Sequence, residues 1–188
     1  MRLLISRWSV ASMVWVGVAL LGPASATLSG QAPAQGDQQP SRLLPTDRAF
    51  ARAAANDAQA EVAIASLAQQ TTSSDIVKMF AEEMQHEYLA MTDELREFGD
   101  HKHEPLPNVV SNDDQITLDT LSHLSGHEFD VAFADNVVAA HREAIAAFQL
   151  YASTGGDPEL RAFADRRLPK LRKLLAAAED VRNSSRGD

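Results

Sequence analysis

The chain has no cysteine among its 188 residues. That absence excludes disulfides, thiolate metal sites and a lipid-modified N-terminal cysteine. Base is scarcer than acid: 17 Lys and Arg stand against 26 Asp and Glu, a formal net charge of −9. This balance argues against nucleic acid or an anionic lipid surface as a partner, because both are bound through Lys and Arg. Beyond the N-terminus no stretch approaches the roughly 20 consecutive apolar residues that a membrane span needs. Strand alternation and internal repeats are missing as well, which leaves helices.

What is present begins with an export signal at residues 1–26. Arg2 and Arg7 supply a positive start, an apolar run follows from Trp8 to Leu21, and Pro23, Ala24, Ser25 and Ala26 present small residues for cleavage after Ala26. The run is too short to cross a bilayer. No two arginines are adjacent there, so the general secretory route is expected rather than the twin-arginine one. Cleavage would remove two arginines and no acid, taking the charge from −9 to −11. The expected location is the periplasm, with no membrane span in the mature chain. Residues 27–45 are rich in Gln, Pro, Ser, Gly and Ala without a hydrophobic period, and read as a disordered leader.

Residues 46–183 carry four long amphipathic patterns. Thr46 is the expected cap of helix one, whose stripe is Phe50, Ala54, Asp57, Glu61, Ile64 and Ala68. Residues 71–75 form a turn, and helix two follows to Phe98 with Val77, Phe80, Met84, Tyr88, Met91, Leu95 and Phe98 on one face, stopping at Gly99. So short a turn makes helices one and two an antiparallel hairpin. A polar connection over 100–114, with Pro105 and Pro107, is long enough to carry the chain back along a helix of about 37 Å. Ile116, Leu118, Leu121 and Leu124 suggest a short amphipathic helix finishing it. Helix three runs from Gly126 to Thr154 on the stripe Phe133, Val137, Ala140, Ala144, Phe148. Asp157 caps helix four and Pro158 fits its first position. Its stripe is Leu160, Ala164, Leu171, Leu174, Ala178 and Val181, and Pro169 should bend it near Asp165. Residues 184–188 are expected to fray. The architecture these patterns predict is an all-α, antiparallel four-helix bundle with a long crossover between helices two and three.

The candidate chemistry lies where ionisable residues fall on apolar stripes. Asp130 and His141 share the stripe of helix three but stand about 16 Å apart along its axis, so they belong to separate features. Asp130 is expected to pin the start of the helix. Glu61, Tyr88, His141 and Leu174 fall near the middle of their four helices, each on the core face. A buried carboxylate and imidazole need partners. One reading pairs Glu61 with His141, completed by the Tyr88 hydroxyl. The other makes Glu61 and His141 ligands of a single divalent ion (zinc, iron or manganese), with Tyr88 or Asp57 as the third and water as the remainder. Glu83-x-x-His86 has the spacing of di-iron bundles, yet His86 points away from the apolar face with Glu83 about 100° round from it, and Val138 stands where a second copy needs Glu. Glu82, Glu83 and His86 are therefore expected on a solvated, salt-bridged face. His101 and His103 lie in the connection, and His123 and His127 are expected at helix ends.

Phe80-Ala81-x-x-Met84, Glu94-Leu95, Phe129-Asp130, Val137-Val138-x-x-His141, Leu168-Pro169-x-Leu171 and the Glu61-Val62 step resemble the bacterial secreted family called domain of unknown function 4142. The likeness covers residues 49–181. It implies a ferritin-like helical bundle exported to the periplasm and associated with the outer membrane, and no established activity. Members of that family typically carry His at the positions of Tyr88 and Leu174, which with Glu61 and His141 would complete a metal shell. Here the resemblance implies a reduced site. The expected function is a non-catalytic structural or binding module of the envelope, with a metal-binding or metal-dependent oxidoreductase protein using Glu61 and His141 as the alternative. Neither a protein partner nor a homo-oligomer is specified by the sequence.

Overall fold

The computed structural model describes residues 43–187, so the expected export signal and most of the expected leader lie outside the described residues. Among the described residues the chain is all-α, with no strand. It has five helices: α1 (Pro45–Thr71), α2 (Asp75–Lys102), α3 (Asn112–Ser122), α4 (Gly126–Thr154) and α5 (Pro158–Arg186). Four are long, at 27 to 29 residues, and α3 is an 11-residue connector.

Every residue of the four apolar stripes is buried. The α1 face is built from alanines at 51, 54, 55, 58, 65 and 68, and small side chains let α2 approach closely. α1 packs chiefly on α2, and α4 on α5. Direction follows from three polar ties. Thr72, in the α1–α2 turn, bonds Asp130 at the start of α4; Asp47 at the start of α1 bonds Tyr151 at the end of α4; and Lys102 at the end of α2 pairs with Asp157 at the start of α5. α2 and α4 therefore run the same way, and the chain between them returns along the long helices.

Several boundaries differ from expectation. Pro45, not Thr46, opens α1: it occupies the first turn, where its missing N–H would have had no partner, and Leu44 precedes it with no side-chain cap. α2 does not stop at Gly99 but continues to Lys102. Its end is closed by His103 in the left-handed conformation (φ 54°), with Glu104 N–H donating to Gly99 O at 2.9 Å and His103 N–H to Asp100 O at 3.2 Å. Gly99 is needed for a different reason than a helix stop. A Cβ there would lie 2.7 Å from Glu104 O and 3.2 Å from Leu106 Cγ, so only glycine lets the departing chain fold against the helix. Ile116 of α3 is exposed rather than part of an apolar face, and only Leu121 of that set is buried. α5 is continuous through Pro169 and runs on to Arg186 instead of fraying from residue 184. The cap expected at Asp157 is present, Asp157 Oδ1 accepting from Glu159 N–H (2.9 Å) and Leu160 N–H (3.0 Å), and at the α1–α2 turn Ser74 accepts from Val77 N–H.

Candidate functional site

Each long helix contributes one mid-length residue to a layer of mixed polarity. Glu61 and His141 are fully buried, and Tyr88 and Leu174 nearly so. His141 Nδ1 stands 2.9 Å from Val137 O. A carbonyl can only accept, so Nδ1 carries a proton. The Tyr88 hydroxyl lies 3.3 Å from Nε2, within hydrogen-bonding reach. The two rings meet edge to face, at 89° with centroids 5.6 Å apart. Asp57, one turn before Glu61, is also buried.

The donor set was tested against a divalent ion. His141 Nδ1 is committed to Val137 O and Nε2 faces the Tyr88 hydroxyl, so ligation through Nε2 requires Tyr88 to turn away or to join as phenolate. Leu174 has no donor atom. Among the described residues, no three His, Cys, Asp or Glu side chains are placed to hold a metal ion. A structural site uses four protein ligands and a catalytic one three. Glu61, His141 and Tyr88 fall short of the four protein ligands of a structural site.

The other sequence candidates are dispersed. Glu82, Glu83 and His86 are exposed, and Glu83 pairs with Lys173 of α5 at 2.6 Å. His101 belongs to α2 and meets Glu159 at 3.3 Å, while Glu104 pairs with Arg48 at 2.6 Å, so the two ends of the 101–104 stretch have different partners. His123 Nδ1 donates to Asp119 O within the last turn of α3. Asp130 does pin the start of α4, through the Thr72 hydroxyl at 2.6 Å.

Two polar assemblies escaped the sequence reading. At the α1 start, Asp47 Oδ1 accepts from the Tyr151 hydroxyl (2.7 Å) and from Gly156 N–H (2.9 Å). Burial, then the Asp47 carboxylate, push the Tyr151 hydroxyl well above its ordinary pKa. Beside it, Lys102 Nζ lies 3.0 Å from Asp157 Oδ2 and 3.1 Å from Glu159 Oε2. Along the α2–α5 seam, buried Arg167 sits 2.8 Å from Glu94 Oε1, and its Nη1 donates to Glu87 O at 3.3 Å. None of these falls on an apolar stripe in a way that singles it out. Asp47 could have been flagged as an acidic first-turn residue opposite the Gly155-Gly156 turn only with the topology in hand.

The family model described as Domain of unknown function (DUF4142) matches residues 32–181. No curated protein matches the chain. Among solved structures, the crystal structure of a DUF305 fragment from Deinococcus radiodurans is similar at a TM-score of 0.68 and 14% identity, covering 76% of this chain and 98% of that one. At that identity the likeness concerns the fold alone.

Proposed function

The chain belongs to the family described as Domain of unknown function (DUF4142), and from that premise we propose an exported, ferritin-like four-helix bundle that serves the bacterial envelope as a non-catalytic structural or binding module. Its mid-helix layer is then a reduced site, held closed by side-chain hydrogen bonding. The observation that carries the reading is His141, whose two ring nitrogens are engaged by Val137 O and the Tyr88 hydroxyl, with Leu174 supplying no ligand. Export rests on Arg2, Arg7, the apolar run and the small residues before Thr27. Expressed in a Gram-negative host, the chain is expected in the periplasmic fraction with Thr27 as its first residue. Recovery with the signal intact in the cytoplasm would overturn export.

A second reading makes Glu61, His141 and Tyr88 the ligands of one zinc, iron or manganese ion in a metal-binding or metal-dependent oxidoreductase protein. It is favoured by a carboxylate and an imidazole both buried at mid-helix depth with a phenol already on the imidazole. Elemental analysis of the purified protein separates the two. The structural reading expects fully helical protein without stoichiometric metal and without uptake of added zinc, iron or manganese. Stoichiometric metal that disappears in Glu61→Gln or His141→Ala would replace it with the second reading.

A further inference from the structure

At the end of the molecule where the α1–α2 turn meets the start of α4 lies an open cleft of about 420 Å³, within the usual size of small-molecule sites. Ile76, Val77 and Val181 form its apolar part, and Ser74, Ser184 and Ser185 are among the residues that line the rest. Asp130 also lines it, with only 8% of its surface exposed. The Asp130 Oδ1 atom accepts from the neutral Thr72 hydroxyl, which is itself oriented by accepting from Ser74 N–H at 3.0 Å. Among the described residues Asp130 forms no ion pair. The other fixed charge in the lining, Arg186, is spoken for, since its Nη2 reaches both oxygens of Asp135 at 2.6 and 2.7 Å. His127 stands at the exposed rim. The cleft thus presents one buried, oriented carboxylate beside serine residues and an apolar wall.

We propose that this cleft binds a small organic cation, a protonated primary amine on a short hydrocarbon body. An ammonium has three N–H donors and no acceptor, which suits Asp130 plus the serine oxygens. A hydrogen bond to a partly desolvated carboxylate is of the strong, charge-assisted kind. The hydrocarbon body covers Ile76, more than half exposed in the free protein, along with Val77 and Val181. A metal ion is disfavoured because Asp130 and His127 are the only customary ligands in the lining. The starts of α2 and α4 border the same cleft and favour an anion, whereas the Asp130 carboxylate opposes one. The site is independent of the mid-helix layer, which His141 marks about 16 Å further along α4.

Matched probes of opposite charge test the assignment on the full chain: n-pentylamine and pentanoate, followed by calorimetry and thermal unfolding. Pentylamine is expected to bind saturably and raise the unfolding temperature, and pentanoate to do neither. Asp130→Asn, whose amide oxygen still accepts from Thr72, is expected to weaken pentylamine binding at least tenfold. Should that variant fail to fold, Ser184→Trp, at an exposed rim position, is expected to do the same by filling the cleft. The assignment is overturned by no saturable pentylamine binding, by pentanoate binding as tightly, or by binding unchanged in the folded variants. None of these outcomes bears on metal at Glu61 and His141.

Discussion

Tyr88 and His141, 53 positions apart in the chain, meet in the core with the phenol hydroxyl 3.3 Å from the imidazole Nε2. The bond is slightly longer than the usual range of about 2.7–3.2 Å, so its own strength is modest. Its loss matters more than its presence, because both side chains are buried away from water. Tyr88→Phe is expected to lower stability by about 1–3 kcal/mol. A urea midpoint equal to that of the unsubstituted protein would show that the hydroxyl is not serving His141.

Asp47 ties the first turn of α1 to the end of α4 and to the α4–α5 turn through two hydrogen bonds on one oxygen. Asp47→Ala leaves both Tyr151 OH and Gly156 N–H unserved and is expected to destabilise by about 1–3 kcal/mol. In a double-mutant cycle with Tyr151→Phe, a coupling of about 0.5–3 kcal/mol is expected. Strict additivity would mean that the Tyr151 contact contributes nothing.

Gly99→Ala sets helix propensity against sterics. Alanine in place of glycine inside a helix is favourable by about 1 kcal/mol. The new Cβ would, however, sit 2.7 Å from the backbone oxygen of Glu104. Backbone cannot swing aside as a long side chain can, so the clash is expected to win, with net destabilisation of about 1–3 kcal/mol. A variant as stable as the parent, or more so, would show that the 103–106 segment is not held against α2.

Asp157, Lys102 and Tyr151 give stability a pH dependence at both ends of the scale. Burial raises the Asp157 carboxyl, but Leu160 N–H, Lys102 and Glu159 N–H outweigh it and hold the pKa below its ordinary value. Its contribution is therefore present above the unfolded value of about 4 and lost as pH falls through the folded value. Burial lowers Lys102, but Asp157 and Glu159 outweigh it, so the contribution is full below about 10.4 and lost as pH rises through the folded value. Tyr151, raised by burial first and Asp47 second, behaves likewise above about 10. Denaturant midpoints between pH 3 and 11 are expected to fall at both ends, and Asp157→Asn to flatten the acid limb. Parallel acid limbs in the two proteins would remove Asp157 from the account.

The apolar stripes were legible because a period of 3.6 needs no knowledge of the partner helix: Phe50 to Ala68 on α1 and Val77 to Phe98 on α2 are buried as their spacing requires. A cap with a local mechanism was legible too, at Asp157. The end of α2 was not, because Gly99 answers to Glu104 and Leu106 rather than to its own backbone preference. Among site residues, burial of Glu61, Tyr88 and His141 followed from their stripes. The proton arrangement did not, since it depends on where Val137 O lies relative to one ring nitrogen and Tyr88 to the other.

By itself the sequence determined a helical chain with four long amphipathic segments, an acidic balance and ionisable residues on core faces, because these depend on local periodicity and composition. Tertiary structure alone decided which polar groups meet. Asp47 with Tyr151 lies 104 positions apart, Asp130 with Thr72 58 and Lys102 with Asp157 55. Hydrogen bonds act over about 3 Å, and only the packed helices bring such distant residues within that range.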